Sequence, residues 1–145
     1  MPDSIRVFDT TLQKSNEWLN DLAAELHTDD KQYAYRVLRE VLHALRDRIP
    51  SGEAAHLGAQ LPMLIRGMYY EGWSPTNAPA RGDRAEFFER VAEAMADQPG
   101  PPDPERWARA VFAVIARRMD AGEVQDVVGI LPRGLTYLWP ESVRT

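Results

Sequence analysis

The sequence repeats itself, and a repeat restricts the possible fold more than any local signal. Displacing the chain by 70 residues lays 36–70 on 106–140 without a gap, with eight identities in 35 positions. They are Arg36/Arg106, Arg39/Arg109, Val41/Val111, Arg48/Arg118, Gly52/Gly122, Glu53/Glu123, Leu61/Leu131 and Pro62/Pro132. Upstream, a one-residue adjustment places Trp18-Leu19 on Phe87-Phe88. The chain therefore reads as a single domain, 1–145, built from two repeats at about 10–72 and 83–140 and joined by 73–82. A lone unit of about 65 residues has a marginal core, so each copy is expected to cover the apolar face of the other.

Each copy has helical periodicity. Ala34, Val37, Leu38, Val41, Leu42, Leu45 and Ile49 recur at spacings of three and four, as do Ala108, Val111, Phe112, Ile115 and Met119. Leu12, Leu19, Leu22, Ala23 and Leu26 mark the core side of a leading helix near 10–26. Phe88, Val91, Ala92 and Met95 do the same near 84–96. Asp103-Pro104 reads as an N-cap followed by a first-turn proline, and Asp83/Glu86 and Asp120/Glu123 have capping-box spacing. Pro62 and Pro132 suit helix starts, which places short helices at 52–60, 62–70, 122–130 and 132–139. Nothing alternates as a strand would. The expected fold is all-α: a bundle of about eight helices from two tandem four-helix units with pseudo-twofold symmetry.

Segments 34–48 (AYRVLREVLHALRDR), 53–62 (EAAHLGAQLP) and 66–73 (RGMYYEGW) carry a resemblance that covers nearly the whole chain. With 110–114 (AVFAV), Gly122-Glu123, Leu131-Pro132 and Trp139 in the second copy, they resemble the bacterial family designated domain of unknown function 2267. The resemblance implies an all-helical fold. It carries no activity and no functional residues with it.

Composition removes several classes of function. At 44% hydrophobic and 27% charged residues the chain is globular rather than disordered. No apolar run spans a membrane, and the first residues form no signal core, so the expectation is a cytoplasmic protein that binds no membrane. Zero cysteines exclude disulfides and thiol chemistry within these residues. Acidic residues outnumber basic ones in both halves, 11 to 8 in 1–72 and 11 to 9 in 73–145, which argues against a nucleic-acid partner. There is no nucleophile elbow, phosphate loop or acid/base pair, so no catalytic residue, metal ligand or cofactor is assigned.

What remains is a candidate binding patch on the first copy: His56, Gln60, Arg66, Tyr69 and Tyr70, with Glu53 and His43 ranked behind them. Positions that both copies need for folding should look alike. Instead His56 faces Asp126, Gln60 faces Ile130, Arg66 faces Thr136 and His43 faces Ala113. The competing explanation is that these groups hydrogen-bond the junction between copies. Glu53-Ala-Ala-His56 has the spacing of two metal ligands on one helix face, and Glu123-Val-Gln-Asp126 is acidic at the same spacing. First-turn glutamates also complement a helix dipole, and that structural reading is preferred. Arg36, Arg39, His43 and Arg46 form a basic arc that reads as a solvated face with Arg36–Glu40 and His43–Asp47 pairs. Tyr69, Tyr70 and Trp73, then Tyr137 and Trp139, are expected to seal the junction between units. The leading functional reading is a non-catalytic helical module that binds a partner protein, a second copy or a small ligand. The alternative is a small metal-dependent or histidine-based enzyme with its site on the first repeat.

Overall fold

A computed structural model describes residues 5–76 and 78–144. The N-terminal residues 1–4 and the linker residue Asn77, on which parts of the leader and linker expectations fall, lie outside the described residues, as does Thr145. The chain folds into helices α1 (Arg6–Glu25), α2 (Lys31–Arg46), α3 (Ser51–Ala59), α4 (Met63–Tyr70), α5 (Arg84–Ala94), α6 (Pro104–Arg118), α7 (Ala121–Ile130) and α8 (Arg133–Thr136). A 3₁₀ turn at Glu141–Val143 follows, and no strand occurs among the described residues. None of these helices is long and apolar enough to cross a membrane.

The expected caps form. Asp83, Asp103 and Asp120 accept the backbone N–H of Glu86, Arg106 and Glu123, and Asp30 does the same for Tyr33 at the start of α2. Two boundaries differ from expectation. Helix α1 starts at Arg6 rather than near residue 10, because the Thr10 hydroxyl bonds back to the Arg6 carbonyl (2.9 Å) inside the helix instead of capping it. Helix α8 closes after Thr136 rather than near 139. The Thr136 hydroxyl takes the Arg133 carbonyl (2.9 Å), and the next amides, Leu138 and Trp139, bond three residues back.

The core lies where the central helices α2 and α6 pack on each other. Helix α1 packs on both of them, α5 also packs on both, and α3 packs on α7. Every stripe residue expected on α2 and α6 is buried. Burying a side chain of this size stabilises by about 1.5–3 kcal/mol relative to leaving it exposed, which makes these two stripes the main source of cohesion. Trp139 stacks on Phe112 with centroids 4.0 Å apart, and Phe112 in turn meets Phe87. Tyr69 lies edge-on to Tyr70 and donates to the Ala54 carbonyl (2.7 Å). These aromatics therefore close their own stretches of chain, Tyr69 onto α3 and Trp139 onto α6, more than they seal a junction between halves.

Polar contacts tie distant segments together. On α6, Arg117 and Arg118 pair with Asp21, and Arg117 also with Glu25, on α1. Arg106 donates to the Leu26 carbonyl, and the Trp107 indole donates to the Tyr33 hydroxyl (2.6 Å). The segment after α4 is held against the end of α2, where the Ala80 amide donates to the Asp47 carbonyl (2.6 Å) and Arg48 to the Gly82 carbonyl (3.2 Å).

Candidate functional site

The basic arc on α2 is not a solvated face. His43 and Arg46 are buried, because α4 lies across them. The His43 Nε2–H donates to the Met68 carbonyl (2.8 Å), which sets the tautomer, and burial pushes the imidazole pKa down. One guanidinium nitrogen of Arg46 donates to the carbonyls of Tyr69 (2.6 Å) and Glu71 (2.8 Å), so Arg46 closes the C-terminus of α4. Arg36 does pair with Glu40 (3.4 Å), but its shorter contact reaches Asp97 (2.8 Å), just beyond α5. The expected His43–Asp47 pair is replaced by contacts of Asp47 with Arg46 and Arg90, both 2.8 Å. Burial raises the Asp47 pKa, and the hydrogen bonds from those two arginines outweigh it, leaving the carboxyl below its ordinary value.

The candidate patch divides. Arg66 donates to the carbonyls of Gly58 (3.0 Å), Ala59 (3.1 Å) and Leu61 (2.9 Å), at and just beyond the end of α3. The Gln60 side-chain oxygen accepts from the Asp120 amide (3.0 Å) and so reaches the start of α7. Tyr69 is wholly buried, and burial pushes its phenol pKa far up. Tyr70 lies over Gly58, where an added Cβ would sit 2.5 Å from the Tyr70 hydroxyl. His56 is 64% exposed on α3, with Nδ1 4.0 Å from Glu53 Oε2. Glu53, His56 and Glu123 converge where α3 meets α7.

Gln60 and Arg66 do share one feature: both line a cleft of ≈470 Å³ between α1 and the α3–α4 corner, together with Val7, Thr11, Lys14 and Met63. Around it the apolar stripe of α1 runs out of cover. Ile5, Leu12, Leu19 and Leu26 follow one another at intervals of seven, and Leu26 is buried at 2% exposure and Leu19 half-buried. Leu12, expected in the core, is 51% exposed and Ile5 54%. Residues 5–10 are all exposed, an overhang in line with the length of α1, about 30 Å at 1.5 Å per residue against about 22–24 Å for α2 and α6. Leu12 follows the buried Thr11 and is turned off the face that α1 buries through Thr11, Ser15, Trp18 and Leu22. Phe8 (55%) stands on the same overhang, and Met63 (50%) and Leu64 (51%) at the start of α4 stand beside it. The Leu64 amide donates to Thr11 Oγ1 (3.2 Å), which fixes α4 against the overhang. Val7, Phe8, Met63 and Leu64 were not singled out in the sequence. The signal available was an apolar stripe that continues N-terminal to Thr10.

A family model described as "Uncharacterized conserved protein (DUF2267)" matches residues 15–138. The chain belongs to this family. Comparison with curated proteins gives no match. The matched region takes in all of α2 through α8 and begins within α1 at Ser15, so the DUF2267 match covers the bundle and the α3–α7 cluster. The exposed Ile5, Phe8 and Leu12 lie N-terminal to it.

Proposed function

We propose that this member of the DUF2267 family is a non-catalytic interaction module whose docking surface is the overhang of α1 together with the start of α4. The observation that carries the reading is the clustering of exposed apolar side chains. Of the eight large hydrophobics exposed among the described residues, Ile5, Val7, Phe8, Leu12, Met63 and Leu64 all lie on these two adjoining segments. Scattered exposed apolar residues need no explanation, but a contiguous group beside a cleft is the usual mark of a surface that another protein covers. Gln60 and Arg66 lie at the edge of that cleft and would contact the same partner. An exposed helix stripe with heptad spacing fits an apolar helical partner best, from another protein or from a second copy.

Photo-crosslinking tests this. A photoreactive side chain at Leu12 or Met63, expressed in the cells the protein comes from, is expected to give a defined protein adduct. The same group at Glu89 or Glu93, exposed on α5, should give none. Equal labelling from both faces, or from neither, would contradict the reading.

We also infer that the bundle is one domain assembled from the two sequence repeats, 10–72 and 83–140. The cross-pairing of α1 with α6, α5 with α2, and α3 with α7 supports it, since helices of one half cover those of the other.

A further inference from the structure

Glu53 and Glu123 are 70 residues apart in the chain and meet where α3 packs on α7. One carboxylate oxygen of each and a ring nitrogen of His56 lie within 4.8 Å of one another. The Oε2 atoms of both glutamates are buried, and neither has a hydrogen-bond partner. The capping role that first-turn position suggests is already filled at α7. Asp120 caps the Glu123 amide, and the Asp120 amide, which a capping-box glutamate would take, donates instead to Gln60 Oε1. The ion pairs recorded for Glu53 and Glu123 among the described residues reduce to the 4.0 Å approach of His56.

Two carboxylate oxygens held out of water without donors are costly, and a cation between them removes that cost. Two carboxylates with one imidazole make an oxygen–oxygen–nitrogen set. The imidazole disfavours calcium and magnesium, and the absence of sulfur disfavours soft ions, which leaves divalent first-row metals, zinc binding more tightly than manganese or iron(II). Donors at about 2.0–2.2 Å around one tetrahedral ion stand roughly 3.4 Å apart, so the set must contract by an ångström or so. Rotation of two glutamate side chains supplies that without moving either helix. The exposed flank of His56 leaves the fourth position to water.

We propose that Glu53, His56 and Glu123 form a three-ligand site for a divalent transition-metal ion, zinc foremost, that fastens α3 to α7. The site is separate from the docking surface and stands or falls independently of it. Because the ion binds only the assembled helix pair, it stabilises the fold.

The test uses the full chain, stripped with chelator, dialysed and titrated with zinc chloride by calorimetry near neutral pH, with thermal melts in parallel. The expected result is one zinc per chain at micromolar zinc and a higher melting temperature. Glu53→Gln, Glu123→Gln and His56→Ala each weaken binding by about tenfold or more and remove the zinc-dependent rise in melting temperature. His27→Ala, in the α1–α2 connection, changes neither. Without zinc the two glutamine variants melt at or above the wild-type temperature, because each relieves one of two facing carboxylates. No zinc uptake, uptake unaffected by both glutamine variants, uptake lost in His27→Ala, or zinc-free glutamine variants that melt well below wild type would each overturn the proposal.

Discussion

Replacing Arg46 with methionine separates the observed role of the α2 polar face from the solvated one. The Arg46 side chain is 3% exposed and donates to two carbonyls at the end of α4, those of Tyr69 and Glu71. Hydrogen bonds from a charged donor contribute about 1.5–3 kcal/mol each, so losing both costs about 3–6 kcal/mol. Methionine fills much of the same space and recovers part of this. Asp47 keeps Arg90 at 2.8 Å and is partly open to water, so it adds little to the loss. The net expectation is a destabilisation of about 3–5 kcal/mol, in line with removal of one partner from a buried charged network. At this chain length that lowers Tm by about 10–20 °C. Urea unfolding followed by far-UV circular dichroism measures it, with the slope m unchanged. Arg46→Lys should recover only part, since the single nitrogen of an ammonium cannot span the carbonyls of Tyr69 and Glu71 on one side and Asp47 on the other, which separate guanidinium nitrogens reach. A solvated arginine would cost less than about 0.5 kcal/mol, and a loss that small for Arg46→Met would refute the reasoning.

Other consequences follow from the same geometry. His43 is neutral when buried and its pKa is lowered, so the unfolded chain takes up its proton first. Stability is therefore fully present above about pH 6.5 and is lost as pH falls below it, and His43→Gln should flatten that part of a stability-versus-pH curve. Gly58→Ala should cost about 1–3 kcal/mol because a Cβ meets Tyr70 and Tyr69 within 3 Å, whereas Gly67→Ala, with open space at its Cβ, should stabilise α4 by about 0.5–1 kcal/mol. Chemical denaturation of the pair checks both signs. Gln60→Ala leaves the Asp120 amide at the start of α7 without its acceptor and should cost about 1 kcal/mol, while exposed His56→Ala in metal-free buffer should cost less than about 0.5 kcal/mol.

The helices were legible because their apolar residues keep the 3.6-residue period on α2 and α6, and because aspartates at 83, 103 and 120 announce three of the starts. What the period cannot tell is which polar residues a neighbouring helix will cover. Arg36, His43 and Arg46 look alike on a helical wheel, and only the passage of α4 over the second and third distinguishes them. The same limit hid the overhang. Leu12 carries the spacing of a core residue, but the face that α1 buries runs through Thr11, Ser15, Trp18 and Leu22, one position round the helix. The patch at His56, Gln60, Arg66, Tyr69 and Tyr70 was chosen because the second copy lacks these groups. That criterion does not separate Tyr69, which the fold buries, from Gln60 and Arg66, which line the cleft. Glu123 entered the sequence reading as a capping-box residue and as the counterpart of Glu53, not as its neighbour, since a contact between α3 and α7 is tertiary information. Arg90 and Arg118, given no role in the sequence reading, bridge segments, to Asp47 after α2 and to Asp21 on α1.

The docking claim is tested most directly by the variant carrying Phe8→Ser, Leu12→Ser and Leu64→Ser, with a photoreactive side chain at Met63. Side chains reserved for a partner contribute little to folding, so the unfolding free energy should stay within about 0.5 kcal/mol of wild type per site while the crosslinked adduct disappears. A loss of several kcal/mol at any one site, the cost of deleting a core side chain, or an adduct that survives all three substitutions, would contradict the account.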